Sequence, residues 1–143
     1  MANQLQEQAA DEYRPGENEP YMNARQLAYF RRKLVEWRAE LLAESAKTRE
    51  LMRMEKLRET DLVDQGFSET ESAFELRTRD RYRKLIKKID AALERIDDGS
   101  YGYCEETGEE IGLKRLEARP IATLCVEAQE RHERMEKLQR VSE

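Results

Sequence analysis

Residues 22–42 read MNARQLAYFRRKLVEWRAELL, and this stretch decides the fold. Asn23 is a favourable N-cap, and Gln26, three residues later, completes a capping box. Apolar residues then recur every three or four positions, which is the spacing of a coiled-coil seam. The seam residues are Leu27, Phe30, Leu34, Trp37 and Leu41. The pattern predicts a helix that begins near residue 23 and needs a partner to cover its apolar stripe.

The chain that follows supplies the partner. Neither residues 21–65 nor residues 67–98 contain a proline or a glycine, so two long helices are predicted. A second capping box starts at Ser68, and Asp98-Gly99 is a typical helix stop. A link that contains Gly66 lets the helices fold back antiparallel. The predicted seam continues through Leu51, Met52, Met54, Leu57, Ala73, Leu76, Ile86, Ile89, Leu93 and Ile96.

The predicted fold class is mainly α. It comprises a long antiparallel coiled-coil hairpin, a small zinc-ribbon-like globular part and a C-terminal helix. The glycine-rich stretch holds two short β-compatible pieces, 101–104 and 111–113. The predicted divisions are a flexible segment 1–21, a hairpin 22–98 with its tip at about 59–68, a globular part 99–123 and a helix 124–143.

Composition excludes several classes of function. The net charge of −5 argues against indiscriminate binding to DNA phosphates. One histidine and two cysteines leave little for a hydrolase or a metalloenzyme, and they build no disulfide framework. No apolar run approaches the ~18 residues of a membrane span, and no secretory leader opens the chain. We therefore expect a cytoplasmic protein that makes no membrane contact.

The predicted tip is acidic. Residues 59–75 contain six acidic residues and no basic one, and two of the acids lie in Asp61-Leu-Val-Asp64-Gln-Gly66. Paired carboxylates at the end of an arm can approach a bound Mg²⁺ or a basic partner surface. Aspartate and glycine are also ordinary residues of a solubilising turn, and composition favours that interpretation.

The stretch after the tip is basic. Residues 77–88 carry seven basic residues and one acidic residue, Asp80. Such a surface suits an acidic protein partner, a nucleotide phosphate or RNA. The alternative is a solvated helix face, which is the commoner role for any single residue here.

The two cysteines resemble half of a zinc site. Cys104 precedes Thr107, and Cys125 precedes Ala128, at the spacing of two zinc knuckles that have each lost a ligand. Threonine and alanine do not replace thiolates, so no closed tetrahedral site is expected, and no metal. Two neighbouring thiols that pack as small apolar groups are predicted instead, with His132 on the surface.

These stretches together resemble the DksA/TraR family from about residue 22 to about residue 138. The most specific parts are ELRTRDRYRKLIKKI at 75–89, YGYC at 101–104 and IGLKRLEARP at 111–120. The tip is similar to the D-x-x-D-x-A motif of the family, with Gly66 in place of alanine. Gln129 stands where the family commonly has a basic residue.

The resemblance implies a non-enzymatic bacterial transcription regulator that acts in the stringent response. It would bind RNA polymerase through the secondary channel and, with ppGpp as ligand, inhibit ribosomal RNA promoters and activate some others. It would be a monomer without sequence-specific DNA binding or a cofactor. The implied site residues are Asp61, Asp64 and Gly66 at the tip, Arg81 as a polymerase contact, and Leu85, Lys88 and Arg119 for ppGpp.

Two other functions stay open from the residues alone. A transcript-cleavage factor also places two tip acids on Mg²⁺ through the same channel. A coiled-coil scaffold or homodimer would pair its seam between chains rather than within one chain.

Overall fold

The structure is a computed structural model that describes residues 13–62 and 68–142. The described residues form four helices, α1 (Ala24–Leu62), α2 (Ser68–Asp98), α3 (Leu113–Ala118) and α4 (Val126–Ser142). Within these ranges, β pairing is limited to one antiparallel bridge between Tyr103 and Glu110. The mainly helical class is therefore confirmed. No helix in the described part of the chain combines the length and the apolar character that a membrane crossing requires.

Helix α1 begins where the capping signal predicted. The Asn23 side-chain oxygen accepts a hydrogen bond from the Gln26 backbone N–H at 2.9 Å. The Gln26 side chain accepts from the Met22 N–H at 2.8 Å, and it is fully buried. In a capping box the Gln26 side chain would accept from the N–H of the cap residue, Asn23. Here it accepts from the Met22 N–H instead, because the Asn23 N–H donates to the Pro20 carbonyl at 3.3 Å.

The chain divides into two compact units, and the described residues of the first are 34–62 and 68–91. In this unit α1 and α2 pair as the predicted hairpin. Arg38 Nε lies 2.8 Å from Asp90 Oδ1, and further along α1 Glu44 accepts from the Tyr82 hydroxyl at 3.5 Å. The contacting residue of α2 moves from 90 to 82 as the residue of α1 moves from 38 to 44, so the two helices run antiparallel. The buried apolar side chains include Leu34, Leu41 and Ile89.

The predicted seam is wrong in the second half of α1. Leu51, Met54 and Leu57 are each more than half exposed, whereas Met52 is half-buried. At about 100° per residue, Met52 lies within about 20° of Leu41 around the helix, and the other three lie roughly 80° or more away. Helical phase, rather than apolar character alone, therefore decides which side chains face α2.

The predicted seam is also wrong at the start of α2. Ala73 and Leu76 are exposed, although they were predicted in the seam. Glu75 and Thr78 are half-buried, because they are nearly in phase with Ile89 at about 100° per residue. Because these two positions carry polar residues, the apolar pattern of the sequence does not mark them as part of the seam.

The described residues of the second unit are 13–33 and 92–142. Its core contains the fully buried side chains of Phe30, Tyr101 and Leu116. The Tyr101 hydroxyl donates to the Pro120 carbonyl at 2.7 Å, which satisfies its buried polar atom. Helix α2 ends as predicted, since Gly99 adopts a φ of +86° and its N–H bonds to the Arg95 carbonyl.

The loop between α2 and α3 is a short hairpin. The Cys104 N–H donates to the Glu109 carbonyl and the Ile111 N–H to the Gly102 carbonyl, both at 2.8 Å. The prediction of a β-compatible piece through Leu113 is wrong, because Leu113 is the first residue of α3. Helix α4 begins at Val126, two residues later than predicted.

Residues 13–21, which belong to the segment expected to be flexible, make defined contacts. The Glu19 carboxylate accepts from the Tyr13 hydroxyl at 2.7 Å and from the Gly16 N–H at 3.1 Å. The Tyr21 hydroxyl donates to the Gly102 carbonyl at 2.6 Å. The last of these bonds joins groups 81 positions apart in the chain, so composition could not reveal it.

Candidate functional site

The middle of the acidic tip lies outside the described residues. Asp61 lies in the last turn of α1, so its backbone is helical rather than part of a turn as predicted. Asp64 and Gly66 lie outside the described residues. Helix α1 runs to Leu62 and α2 begins at Ser68, so the backbone is helical at residues 59–62 and 68 of the predicted tip.

Three of the predicted site residues share one face of α2. Arg81, Leu85 and Lys88 are spaced by four and then three residues, which places them on adjacent turns of one side. Arg81 and Lys88 are exposed, and Leu85 is half-buried. The structure therefore presents two cations beside an apolar side chain. This arrangement suits a partner that offers negative charge and some apolar surface.

Arg119 belongs to the other unit and follows α3. Its backbone N–H donates to the Arg115 carbonyl at 2.7 Å, and its carbonyl accepts from the Ala122 N–H at 3.0 Å. The Arg115 side chain is used structurally, because its Nε donates to the Leu124 carbonyl at 2.9 Å. The Arg119 side chain is exposed.

A basic groove lies between the helices of the 34–91 unit. It has a volume of about 480 Å³, and four cationic side chains outnumber two carboxylates along it. No single stretch of the sequence indicates the groove, because its cations come from both helices. The cations are Arg49, Arg53, Lys56 and Arg79.

The two cysteines are free and buried. Thr107 Oγ1 lies 3.9 Å from Cys125 Sγ, so the threonine stands beside the thiol at the position of the first missing ligand. Ala128 is fully buried at the position of the second. His132 is exposed and contacts the Glu106 carboxylate.

Hydrogen bonds to the Cys104 sulfur change its acidity. Burial raises the pKa of the Cys104 thiol, but the donors around the sulfur act in the opposite sense. Together they lower the pKa to about 6, which favours the thiolate at neutral pH. The donors are the Thr107 side chain and the backbone N–H groups of Cys125, Thr107 and Glu106.

One mixed cluster lies near Cys125. Its Sγ and one carboxylate oxygen from each of Glu109 and Glu127 lie within 4.8 Å of one another. Both glutamates are exposed. A closed structural zinc site has four ligands, which are mostly soft thiolates or imidazoles. This cluster offers three ligands, of which two are hard carboxylates, so it does not match such a site.

Two family models match the chain. Residues 26–96 match the N-terminal domain of DksA, described as the DnaK suppressor protein, and residues 99–134 match the prokaryotic dksA/traR C4-type zinc finger. The second match raises the question of whether this chain holds zinc. A C4 site needs four thiolates, whereas Thr107 and Ala128 present a hydroxyl and a methyl group. The residues present therefore do not fit a C4 zinc site.

Relatives match over nearly the whole chain. The chain is 62% identical over 129 residues to the RNA polymerase-binding transcription factor DksA of Caulobacter vibrioides, covering 90% of this chain and 91% of that protein. Identity to the protein of the same name from Escherichia coli K12 is 50%, with coverages of 80% and 74%. The structure of transcription factor DksA2 from Pseudomonas aeruginosa aligns with a TM-score of 0.69 at 38% identity, covering 92% of this chain and 98% of that one. The chain therefore belongs to the DksA/TraR family.

Proposed function

We propose that this protein is a transcription regulator that binds RNA polymerase and, together with ppGpp, modulates initiation. The observation that carries the proposal is the 62% identity, over 90% of the chain, to a protein named RNA polymerase-binding transcription factor. Entry into the secondary channel, inhibition of ribosomal RNA promoters and activation of some others are parts of the same proposal. The protein would act in the cytoplasm as a monomer, without catalysis of its own.

The long hairpin supports this function physically. Helix α1 has 39 residues, and at 1.5 Å per residue it spans about 58 Å. An element of that length can carry acidic residues at one end while its basic side chains contact a partner elsewhere. In this proposal Asp61, Asp64 and Gly66 form the tip that is directed at the polymerase active site, and Arg81 contacts the enzyme.

Substitution Asp64→Asn tests the tip. We expect the variant to bind polymerase within about twofold of the parent, because binding would rest on other contacts. Inhibition of a ribosomal promoter in vitro should need at least about tenfold more protein, which corresponds to about 1.4 kcal/mol. Glu130→Gln, an exposed acid on α4, is the matched control for loss of one negative charge. Undiminished inhibition by Asp64→Asn would show that the tip assignment is wrong.

We further propose that Leu85, Lys88 and Arg119 contact ppGpp. The exposed ammonium of Lys88 can pair with phosphate oxygens, and the apolar Leu85 lies one turn away on the same face. Arg119 is an exposed guanidinium of the other unit.

Lys88→Gln provides the test of ppGpp binding, with Lys87→Gln as its control. Both lysines are exposed on α2, and they differ by about 100° around the helix. We expect Lys88→Gln to reduce the enhancement of promoter inhibition by ppGpp several-fold without changing inhibition in its absence. Lys87→Gln should behave like the parent. Equal losses in both variants would indicate a diffuse charge effect and contradict the assignment of Lys88.

A further inference from the structure

Three large apolar side chains of the 34–91 unit are exposed towards the tip end of the hairpin. Leu51 and Met54 on α1 are 56% and 57% exposed, and Phe74 on α2 is 65% exposed. Single exposed apolar residues are common on soluble proteins, whereas a contiguous group of them usually marks an interaction surface. Helical phase and the register of the two helices decide whether these three residues form such a group.

Helical phase gives the three residues the same rotational sense. At about 100° per residue, Leu51 and Met54 are rotated by roughly −100° and −160° from the half-buried Met52. On the other helix, Phe74 is rotated by roughly −60° from the buried Ile89. In two antiparallel helices, residues rotated in the same sense from the contact line lie on the same side of the pair.

The basic groove follows the same rule and lies on the other side. Arg53 is rotated by about +100° from Met52, and Arg79 by about +80° from Ile89. Both arginines line the groove, although they come from different helices. The three apolar residues have the opposite rotational sense, so they lie on the side of the hairpin that faces away from the groove.

The three residues also lie at similar levels along the hairpin. The contacts of residue 38 with residue 90 and of residue 44 with residue 82 define the register of the helices. At that register position 51 lies opposite about position 76, so Leu51 and Phe74 are within about one turn of each other along the axis. Met54 lies one turn further along α1. We call Leu51, Met54 and Phe74 the apolar strip.

Basic residues flank the apolar strip on both helices. They continue its two faces at spacings of three or four residues, which keeps them on the same side of each helix. Glu55, next to Met54, is the acid closest to the strip on this side of α1. The flanking basic residues are Lys47, Arg58, Arg77 and Arg81.

These basic side chains are not neutralised by carboxylates of the chain. Within residues 13–62 and 68–142, Lys47, Arg58 and Arg81 make no ion pair, and all three are exposed. Arg77 Nε donates to the Ala73 carbonyl at 3.3 Å, which is a neutral acceptor one turn back. A partner that brings carboxylates therefore meets these cations without displacing an ion pair.

The charges favour a foreign partner over a second copy of the chain. Two copies that met through their apolar strips would bring the flanking cations together, and like charges in an interface are costly. The complementary surface is apolar and flanked by carboxylates. Arg81, the proposed polymerase contact, lies seven residues after Phe74 on the same face of α2, so the strip is continuous with that proposed interface.

We propose that the apolar strip docks on an apolar, acid-flanked surface of RNA polymerase. Phe74 is its central contact, because aromatic side chains dominate the binding energy of many interfaces. The flanking cations pair with carboxylates at the edge of that surface. This inference rests on the proposed function, and it adds polymerase contacts on both helices that are separate from the tip and from the ppGpp residues.

The test is a binding titration of the full-length protein with RNA polymerase. In the double variant Leu51→Gln, Phe74→Gln we expect the Kd to rise at least about tenfold, which corresponds to about 1.4 kcal/mol. Glutamine is compatible with a helix but removes the apolar surface. The melting temperature should stay close to that of the parent, because both side chains are exposed.

The matched control is the double variant Leu57→Gln, Leu76→Gln. It removes one exposed apolar residue from each helix, and each of these leucines is 64% exposed. Both are rotated by about +140° from the contact line, so they lie outside the apolar strip. We expect the control to bind polymerase within about twofold of the parent.

Salt dependence separates apolar contact from charge. Raising the salt concentration from about 0.1 M to about 0.5 M shortens the screening length to a few ångströms. The loss of affinity in the Leu51→Gln, Phe74→Gln variant should persist at the higher concentration. The loss that we expect in Arg81→Gln should shrink, because it comes from an exposed charge.

Four results would overturn the proposal. If the parent binds polymerase and the folded Leu51→Gln, Phe74→Gln variant binds equally well, this inference is wrong while the proposed function is not. An equal loss in the control would mean that the position of the apolar residues is irrelevant. A dimer in sedimentation that the double variant abolishes would assign the strip to a second copy. Failure of the parent to bind polymerase would contradict both proposals.

Discussion

At the scale of single residues, Tyr21 joins the N-terminal loop to the short hairpin that follows α2. Its hydroxyl donates to the Gly102 carbonyl at 2.6 Å and accepts from the Gly112 N–H at 3.0 Å. Gly102 has a φ of +92°, and a Cβ there would lie 2.8 Å from the Met22 side chain. Only glycine meets both the conformation and the close approach at this position.

Glu117 joins α3 to α1 within the same unit. Its carboxylate accepts from Tyr29 at 2.5 Å and from the Lys33 ammonium at 2.6 Å. Burial raises the pKa of the Glu117 carboxyl, but these two donors outweigh it and lower the pKa below its ordinary value. The charged form is therefore the one that the folded state prefers.

We predict a pH-dependent loss of stability in Glu117→Gln. Because the pKa in the folded state is depressed, the stabilisation by Glu117 is complete above the unfolded pKa near 4.5 and is lost as pH falls through the folded value. Urea denaturation should show the variant roughly 1 kcal/mol less stable than the parent at pH 7, with the difference shrinking below pH 4.5. Glu130→Gln is the control. A difference that does not depend on pH would contradict the assigned role of the charge.

At the scale of elements, α1 changes character along its length. Its first half buries an apolar residue on nearly every turn, whereas in its second half Met52 is the half-buried apolar residue that keeps the phase of the seam. Burying a large apolar side chain contributes about 1.5–3 kcal/mol, so the stability of the hairpin should be concentrated in its better-packed half. The exposed apolar side chains further along α1 are available to a partner.

We predict that Leu34→Ala destabilises the protein strongly and that Leu42→Ala does not. Leu34 is fully buried, so its truncation loses transfer free energy and leaves a cavity, at a cost of about 2–4 kcal/mol. Leu42 lies on the same helix but is 42% exposed, and its truncation should cost less than about 1 kcal/mol. Thermal and urea denaturation of the two variants measure both effects. Similar losses would show that the seam is not where the structure places it.

At the scale of the whole molecule, the match to a C4-type zinc finger contrasts with the side chains that the chain places there. Cys104 and Cys125 remain, and the Cys104 sulfur accepts hydrogen bonds from backbone N–H groups. The loop is also closed by backbone bonds between Cys104 and Glu109 and between Gly102 and Ile111. Ala128, at the position of the other missing ligand, is buried and packs with this part of the chain.

We predict that the purified protein carries no stoichiometric zinc and that a chelator does not change its melting temperature. Elemental analysis and thermal denaturation with and without EDTA measure the two quantities. The double variant Thr107→Cys, Ala128→Cys is the positive control, because it restores four thiols and should bind about one zinc per chain. About one zinc in the parent protein would overturn the prediction and implicate recruited ligands such as Glu109 and Glu127.

Capping, helix propensity and family motifs are properties of neighbouring residues, so the two long helices, the starting point of α1, the stop at Gly99 and the family can all be predicted from the chain. The folded chain is needed to show that Met52 and not Leu57 continues the seam, that Tyr21 bonds to Gly102, and that tyrosines and arginines line one cavity. Those features depend on helical phase over many turns and on contacts between residues as many as 91 positions apart in the chain. No local pattern encodes such contacts, since they exist only when the whole chain is folded.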